Sequence, residues 1–370
     1  MKKNNLTYLF YLPSFSGGGS EMVTINLANQ FYDHDKKVIF LCSNNSGPLY
    51  FKLNKKIEII NLKKKRLLSS IFEILKIIKK KTPDVIFSSL VHSNILFCIL
   101  KKFSSIKFFL LIRHGNTKHQ NNSPRYKIKN YIFSKLILLF YRYANLIISS
   151  GSLAKSYLNS ELGIKQKVYS INNPIFVKKE FNKKINIKNN WIKKNKYSYL
   201  LSIGRLNYQK NFIFLIKSFC NLKFSKKTNL LIIGEGDQYK NLNNFIKKNN
   251  LSNTVKIINF KKNPLNYINY CKCFILSSLW EGQSNALLQA ALLKKNILCA
   301  DTAGDAKLLS KKFENINIYK SNNFKDFEKK LKIILKIKTI FSKNKFHKLS
   351  ENFASEEVAK KYIRIINEKI

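Results

Sequence analysis

Glycine and proline are scarce in this chain, and their positions divide it into a repeating pattern. Only 12 glycines and 6 prolines occur among 370 residues, and most of them stand just after a short apolar run. Both residue types are retained where the backbone needs a conformation that other residues avoid. Since apolar residues at helical spacing follow these junctions, the pattern predicts alternating β-strands and α-helices, which is typical of parallel sheets.

The alternation occurs as two separate series. Predicted strands of the first series lie at 6–12, 38–42, 57–62, 85–88, 108–112, 146–150 and 168–171, and those of the second at 200–203, 230–233, 255–260, 274–276 and 297–300. A chain of this length suits two cores better than one. We therefore predict an α/β fold with two Rossmann-like domains facing a central cleft, at 1–178 and 197–353, joined by a linker at 179–196.

The charge of the chain is strongly positive. Its 68 Lys and Arg residues against 20 Asp and Glu residues give a formal net charge of +48. Lysine is spread along the whole chain with asparagine and isoleucine, so we expect attraction to an anionic membrane surface and no nucleic-acid partner. A non-catalytic basic protein that binds membrane or nucleic acid is the alternative, and its binding would collapse with salt.

The cysteines and the apolar runs indicate in which cellular compartment the protein works. The six cysteines show neither zinc nor redox spacing, which favours the reducing cytoplasm. No run reaches the ~20 apolar residues of a membrane span, and the run at 6–12 is better interpreted as a strand than as a signal peptide. The segment at 131–141 contains Lys135, so we predict a core-facing helix, with a role at the membrane surface as the alternative. We thus expect a cytoplasmic protein that associates peripherally with the inner face of the cytoplasmic membrane.

Acidic residues are not grouped as a metal site would need. Asp33-His34-Asp35 has the look of an Asp-x-Asp metal motif, yet it lies at the amino end of the strand at 38–42. We therefore interpret it as a solvated turn. No other acidic cluster has the spacing of metal ligands, so we expect neither a metal nor an organic cofactor.

The stretch at 277–289 predicts a ligand site. It follows an apolar run, turns at Gly282 and continues with Ser284 and Asn285, which are favourable residues at a helix N-terminus. Such a terminus offers N–H groups and partial positive charge to a phosphate, while the carboxylate of Glu281 can accept hydrogen bonds from sugar hydroxyls. Together they favour a nucleotide sugar as ligand, and an ordinary strand-to-helix turn is the alternative.

Cations and a histidine follow other predicted strands. Gly204 is followed by Arg205, and Lys210 stands five residues later. Arginine can bind a phosphate through two parallel hydrogen bonds, and lysine adds a mobile point charge; solvated surface charge is the alternative for both. His114 stands at the end of the strand at 108–112 and has an imidazole suited to function at neutral pH, with a buried, satisfied histidine as the alternative.

The order of these junctions resembles the family-4 retaining glycosyltransferases of GT-B fold along nearly the whole chain. The resemblance is greatest to the bacterial enzymes that extend lipid-linked O-antigen, capsule or lipooligosaccharide chains. The matching landmarks are Gly17-Gly18-Gly19-Ser20-Glu21, Pro83-Asp84-Val85, Asn173-Pro174, Gly204-Arg205-Leu206, Gln209-Lys210-Asn211, Gly234-Glu235-Gly236-Asp237, Lys262-Asn263-Pro264 and Glu281-Gly282. The chain departs from the family at Gln289, where a second Glu is usual, and at 303–307, where Gly-Gly-x-x-Glu is usual.

The resemblance implies a metal-independent hexosyltransferase. It would move a hexose or N-acetylhexosamine from a nucleotide-diphospho sugar to a lipid-linked oligosaccharide or polysaccharide acceptor, with retention at the anomeric carbon. The acceptor would bind the first domain and the donor the second, and a final helix at 354–370 would pack back on the first. A nucleotide-sugar epimerase on the same fold is the alternative.

The resemblance also implies which residues form the site. The implied catalytic residues are His114, Arg205, Lys210 and Glu281. The implied donor-binding residues are Gly17, Gly18, Gly204, Arg205, Lys210, Gly234, Glu281, Gly282, Gln283, Ser284, Asn285, Ala286 and Gln289.

Overall fold

The computed structural model describes residues 6–64, 68–115, 124–175, 199–222, 228–261, 263–336 and 343–370. The chain divides into two compact units, Met1–Pro174 together with Phe353–Ile370, and Ile175–Asn352. The predicted domain limits were 178, 197 and 353, and the predicted linker at 179–196 lies outside the described residues.

The first unit contains a seven-stranded parallel sheet. Its strands are β1 (Thr7–Leu12), β2 (Lys37–Cys42), β3 (Glu58–Asn61), β4 (Val85–Ser88), β5 (Phe109–His114), β6 (Leu146–Ser149) and β7 (Val168–Ser170), in the spatial order β3-β2-β1-β4-β5-β6-β7. Its helices before the second unit are α1 (Gly19–Asp33), α2 (Ile71–Lys81), α3 (Val91–Phe103), α4 (Pro124–Phe140) and α5 (Ser152–Ser156), with a 3₁₀ turn at Tyr141–Tyr143 and a π turn at Tyr157–Glu161.

The second unit contains a six-stranded parallel sheet. Its strands are β8 (Tyr199–Ile203), β9 (Asn229–Ile233), β10 (Val255–Ile258), β11 (Cys273–Leu276), β12 (Ile297–Ala300) and β13 (Ile316–Tyr319), in the order β10-β9-β8-β11-β12-β13. Its helices are α6 (Phe212–Asn221), α7 (Tyr239–Lys248), α8 (Leu265–Tyr270), α9 (Asn285–Leu292), α10 (Ala306–Ser310), α11 (Phe324–Ile334) and α12 (Lys343–Glu351), and α13 (Ser355–Lys369) belongs to the first unit.

Both sheets are buried because helices cover them. In β1, β4, β9, β11 and β12 every residue is buried, as expected for parallel strands with helices on both faces. This explains why the strands appear in the sequence as continuous apolar runs. The predicted α/β fold with two Rossmann-like halves is confirmed.

The last helix of the chain packs within the first unit. Helix α13 lies against α1, and its buried Tyr362 ring lies 6.1 Å from the ring of Phe87 on β4. Burial raises the pKa of the Tyr362 hydroxyl, and the nearby positive charge of Arg113 lowers it. Arg113 donates to the side-chain oxygen of Asn173. The end of β5 thus lies close to the last helix.

In each sheet, successive strands lie first on one side of the first strand and then on its other side. The point between the two sides marks where a ligand can bind. In the second unit the chain runs from β8 outward through β9 to β10, then returns to β11 on the other side of β8. The crevice beyond the carboxyl ends of β8 and β11 is therefore a topological switch point, where open α/β sheets bind ligands. The first sheet has its switch point between β1 and β4.

Some predicted elements were displaced or missing. Arg113 and His114 were placed just after a strand, but pairing with β6 continues β5 through both residues. Helix α4 faces the core with Phe133, Leu136 and Ile137, yet part of its surface is exposed. Helix α3, strand β13 and helix α11 were not predicted.

Candidate functional site

Two loops at the switch point of the second unit are joined by hydrogen bonds. The loop after β8 and the loop after β11 meet where Leu279 N donates to Gln209 O at 2.8 Å and Gln209 Nε2 donates to Trp280 O at 2.8 Å. Ser277 Oγ also donates to Lys210 O at 2.8 Å. These bonds fix the two loops against each other, so residues that are distant in sequence form one site.

An ion pair forms the centre of this site. Lys210 Nζ contacts Glu281 Oε1, and Ser278 Oγ donates to the same carboxylate oxygen at 2.7 Å. The side chains of Lys210 and Glu281 are only 16% and 10% exposed. A largely buried pair of this kind holds both side chains in place. The lysine has three donors and the carboxylate about four acceptor sites, so both can also bind a ligand.

The lysine is held by a short turn that the sequence encodes. Residues Tyr208–Lys210 form a 3₁₀ turn that begins at Asn207, whose side chain accepts from Lys210 N, and the turn ends at Asn211 in the left-handed conformation with φ 53°. Asparagine tolerates that conformation better than most residues. The stem of Lys210 then lies over Gly204, where an added Cβ would come within 2.9 Å of Lys210 Cε.

Glycines let neighbouring loops of the second unit approach closely. A Cβ added at Gly234 would lie 1.9 Å from Gly204 O, and one at Gly304 would lie 1.9 Å from Gly282 O. Asp305 N also donates to Gly282 O at 3.3 Å, and Thr302 Oγ1 donates to Ser278 O at 2.9 Å. The loops after β9 and β12 therefore support the central ones from either side.

The helix after Glu281 begins as the sequence predicted. Ser284 is the N-cap of α9, and its hydroxyl accepts from Leu287 N at 3.4 Å. The amides of Asn285 and Ala286 stand in the first turn of this helix, and Gln283 is buried just before it. The N-terminus of α9 therefore contributes amide donors and partial positive charge beside Glu281. Gln289 lies half-buried further along α9.

Arg205 differs from Lys210 in its surroundings. It follows Gly204 directly, as predicted, but its side chain is exposed. It therefore adds positive charge at the rim of the site, whereas Lys210 lies inside it.

The thiol beneath the ion pair is not a reactive group. Cys299 lies fully buried in β12, and burial, with the nearby carboxylates of Glu281 and Asp301, raises its pKa well above the usual value. A thiol that stays protonated is a poor nucleophile, so Cys299 is a packing residue. All six cysteines are unpaired, and only Cys220 is exposed.

The predicted residues of the glycine-rich loop lie in the first unit. Gly18 is the N-cap of α1, and an added Cβ there would come within 2.2 Å of Glu21 Oε2. The buried carboxylate of Glu21 thus covers this glycine. Gly17 is exposed. That Gly17 and Gly18 bind the nucleotide-sugar donor stays a prediction.

His114 lies in a buried aromatic setting at the end of β5. It is 1% exposed, its ring stacks on Tyr157 at 6.1 Å and meets Tyr141 edge-on at 5.8 Å. Its Nδ1 lies 3.1 Å from the Tyr141 hydroxyl. The histidine is therefore part of a polar network inside the first unit, and its role in catalysis stays a prediction.

The structure thus brings together the predicted residues of the second unit, Gly204, Lys210, Gly234, Glu281, Gly282, Gln283 and Ser284, with Arg205 beside them. The sequence predicted no role for Ser278, Gln209 or Thr302, which support this group. Ser278 lies in the predicted stretch at 277–289 and Gln209 in a family landmark, whereas Thr302 had no signal beyond being a polar residue just after a predicted strand. Sequence reasoning also missed Asn94 and Tyr141 next to His114.

Across the described ranges, no group of three or more His, Cys, Asp or Glu side chains is placed to hold a metal ion. Asp33 ends α1 and Asp35 lies in the turn after it, and both are exposed. None of the helices in the described ranges has both the length and the apolar character that crossing a membrane requires.

Two family models match successive parts of the chain. The model for Glycosyltransferase Family 4 matches residues 17–179, and the model for Glycosyl transferases group 1 matches residues 183–355. The first match covers the first unit from residue 17 to Pro174, without β1 and nearly all of α13, and the second match covers almost all of the second unit.

Characterised and uncharacterised relatives agree with these matches. The chain is 30% identical over 255 residues to an uncharacterised glycosyltransferase of Methanocaldococcus jannaschii, covering 64% of this chain and 60% of the relative. It is 35% identical over 114 residues to a diphospho-undecaprenol 4-α-N-acetylgalactosaminyltransferase of Campylobacter jejuni, covering 31% of each. It is 25% identical over 298 residues to the amylovoran biosynthesis glycosyltransferase AmsD of Erwinia amylovora, covering 79% of this chain and 78% of that protein. The matched regions thus span less than two thirds of the first two relatives.

A solved structure shares the fold over the full length. The sucrose-phosphate synthase of Thermosynechococcus elongatus superposes with a TM-score of 0.80 at 12% identity, covering 98% of this chain and 99% of that one. The two parallel Rossmann-like sheets, the two consecutive family matches and the names of the relatives all indicate the same family. The chain belongs to the family-4 glycosyltransferases of GT-B fold.

Proposed function

We propose that this protein moves a hexose or N-acetylhexosamine from a nucleotide-diphospho sugar to a lipid-linked oligosaccharide or polysaccharide acceptor, with retention at the anomeric carbon. The observation that carries the proposal is the Lys210–Glu281 pair at the switch point of the second unit. A carboxylate beside a cation and helix amides matches the two halves of such a donor, which are hydroxyl-rich sugar and anionic diphosphate.

In the proposed reaction the bond between the anomeric carbon and the phosphate oxygen breaks. A bond from the acceptor oxygen to the same face of that carbon forms, and the acceptor proton passes to the departing phosphate oxygen. Negative charge grows on the diphosphate as it leaves. Lys210, Arg205 and the first-turn amides of α9 would stabilise that charge, and Glu281 would hold the sugar hydroxyls. No separate catalytic base and no metal is needed in this scheme.

The proposed lipid-linked acceptor is supported by the name of a relative and by the positive net charge of the chain. The matched Campylobacter relative is named for a diphospho-undecaprenol acceptor, which is an anionic lipid. A net charge of +48 favours work at an anionic membrane surface. Helix α4 adds exposed apolar residues for such a surface, namely Ile128, Tyr131, Ile132, Leu138 and Leu139.

A thermal-shift panel of nucleotide sugars, followed by product analysis, tests the proposal. A donor that binds the folded protein at 100 times its Kd raises the unfolding free energy by about 2.7 kcal/mol. We expect one class of nucleotide sugar to raise the Tm and free mononucleotides of other bases to have little effect. Products are then analysed with and without a lipid-linked acceptor. Sugar transfer only with acceptor supports the proposal, whereas an isomerised sugar formed without acceptor indicates the epimerase alternative.

A further inference from the structure

Helix α3 contributes a buried side chain that bonds two groups next to His114. Asn94 Nδ2 donates to Arg113 O at 3.0 Å and to the Tyr141 hydroxyl oxygen at 3.2 Å. Asn94 and Tyr141 are both completely buried. The orientation of the amide follows from its partner, because a backbone carbonyl can only accept and must therefore face the nitrogen.

The orientation of the Asn94 amide in turn determines which group donates in the hydrogen bond between Tyr141 and His114. Since Asn94 uses its second N–H on the Tyr141 oxygen, that oxygen is an acceptor here and its single proton is available for another group. The ring nitrogen Nδ1 of His114 lies 3.1 Å away. No other acceptor for this proton is found among the side chains and backbone groups that the structure describes. A buried O–H group without an acceptor destabilises the fold, so the hydroxyl donates to Nδ1.

The hydroxyl is also able to keep its proton. Burial raises the pKa of Tyr141 far above the physiological range, against the hydrogen bond from Asn94, which lowers it. The tyrosine therefore keeps its proton at neutral pH. A nitrogen that accepts a hydrogen bond carries no proton of its own, so the imidazole proton of neutral His114 must lie on Nε2.

We propose that Asn94 and Tyr141 are positioning residues that hold His114 neutral and protonated at Nε2, so that this histidine serves as a hydrogen-bond donor and not as a general base. The role toward substrate rests on the proposed function, but the protonation state does not. The ligand class that suits such a donor is a hydroxyl or carbonyl oxygen of a sugar, or a phosphate oxygen.

Nitrogen NMR of the full chain labelled with ¹⁵N-histidine tests the assignment, since protonated and unprotonated ring nitrogens have well-separated shifts. The chain has five histidines, and the His114→Gln spectrum identifies the signals of His114. We expect Nε2 of His114 to carry the proton and Nδ1 to be unprotonated and hydrogen-bonded. Tyr141→Phe, which removes only the donor, should shift the Nδ1 signal.

Tyr157→Phe is the matched control, because Tyr157 also contacts the His114 ring but by stacking. It should leave the Nδ1 signal in place. A proton on Nδ1 in the unmodified protein, or an Nδ1 signal that Tyr141→Phe does not move, would overturn the proposal. A chain that transfers no sugar would overturn the proposed function but not this result.

A kinetic comparison tests the donor role separately. The amide of glutamine can place an N–H where Nε2 stood, so His114→Gln should lower kcat/KM by at most about tenfold. His114→Ala should lower it further. Loss of a general base costs about 100- to 10,000-fold, so an equally severe loss in both variants, with unfolding curves unchanged, would overturn the donor role.

Discussion

Lys210 and Arg205 both follow β8, but their surroundings separate their expected effects. Lys210 is largely buried beside Glu281, and Arg205 is exposed. Lys210→Ala leaves a largely buried carboxylate without its cation, so we expect the unfolding free energy to fall by about 1–3 kcal/mol. Arg205→Ala should change it by less than about 0.5 kcal/mol. Both variants should lose most sugar transfer, as measured by single-turnover assays beside urea unfolding.

Lys240→Ala is the control for the loss of one positive charge. This lysine is exposed on α7, outside the loops of the site. It should retain both stability and transfer. Near-normal turnover in both Arg205→Ala and Lys210→Ala would contradict the assignment of these cations to the diphosphate.

Gln289 offers a prediction at the position where the chain leaves its family. The resemblance implies that the family's second Glu binds the ribose hydroxyls, and a carboxylate accepts two such bonds more cleanly than an amide. Charge-assisted hydrogen bonds are roughly twice as strong as neutral ones. Gln289→Glu should therefore tighten donor binding by about 1 kcal/mol, without changing which sugar is bound. Calorimetric titration of both forms measures this, and unchanged or weaker binding means that residue 289 does not face the ribose.

At the scale of single residues, the sequence predicted which residues belong to the site but not which of them are bonded to each other. Lys210 and Glu281 were predicted for separate tasks, the phosphate and the sugar, and the structure shows them bonded to each other. Ser278 was missed because a hydroxyl near a strand end has no distinctive spacing. Asn94 was missed because it lies in α3, a helix that begins without a capping hydrogen bond.

Among the elements, the loop after β12 tests how closely the site is packed. Gly304 has φ +62°, and a Cβ there would lie 1.9 Å from Gly282 O. Gly304→Ala therefore adds a backbone collision to the cost of the left-handed conformation, which alone is about 1–2 kcal/mol. Gly163 has nearly the same φ of +65° but nothing within 4 Å.

The comparison of the two alanine variants isolates the collision. We expect Gly304→Ala to destabilise its unit by about 1–3 kcal/mol more than Gly163→Ala destabilises the other unit, as typical of overpacking. It should also weaken donor binding, because Gly282 follows Glu281. Guanidinium unfolding with a separate probe for each unit measures both effects. Equal destabilisation by the two substitutions would show that the loop moves aside at no cost.

The sequence located most strands because buried parallel strands are continuous apolar runs. The strand predicted at 85–88 and the one at 297–300 have the bounds that the structure gives to β4 and β12. Strand β5 runs two residues further because pairing with β6, which no local signal reveals, extends it. Strand β13 was missed because Asn317 interrupts a run of only four residues.

At the scale of the whole molecule, charge and helix α4 predict how the protein meets a membrane. We expect binding to vesicles with anionic lipids that high salt releases, because charges are screened within ~10 Å at about 0.1 M salt. Tyr131 and Ile132 are 64% and 50% exposed on α4. Changing both to Ser should weaken vesicle binding by at least about tenfold, since burying one such side chain contributes about 1.5–3 kcal/mol.

Phe72 provides the control for that experiment. It is 84% exposed on α2, so Phe72→Ser removes a comparable apolar group from another surface. Vesicle co-sedimentation should be unaffected by it. An equal loss in Phe72→Ser, or full binding to neutral vesicles in high salt, would contradict docking through α4 and charge.

The division into two Rossmann-like halves was predictable because each half repeats the same alternation of strand and helix. The position of the last helix was implied only by the family resemblance. Its packing depends on contacts such as Tyr362 with Phe87, which join residues far apart in the chain and leave no periodic signal.

The central claim is that the Lys210–Glu281 pair belongs to a sugar-transfer site, and Glu281→Gln tests it most directly. This change keeps the size of the side chain and removes the charge that holds Lys210. Glu314→Gln is the matched control, because Glu314 is exposed just before the amino end of β13 in the same unit, away from the loops of the site. Purified protein, the donor that raises the Tm and a lipid-linked acceptor are incubated, and the acceptor is analysed by mass spectrometry and its new linkage by NMR. We predict that the unmodified protein and Glu314→Gln add one sugar with the anomeric configuration of the donor, and that Glu281→Gln is at least about 100-fold slower while still folded. Transfer by Glu281→Gln at the rate of Glu314→Gln would contradict the claim.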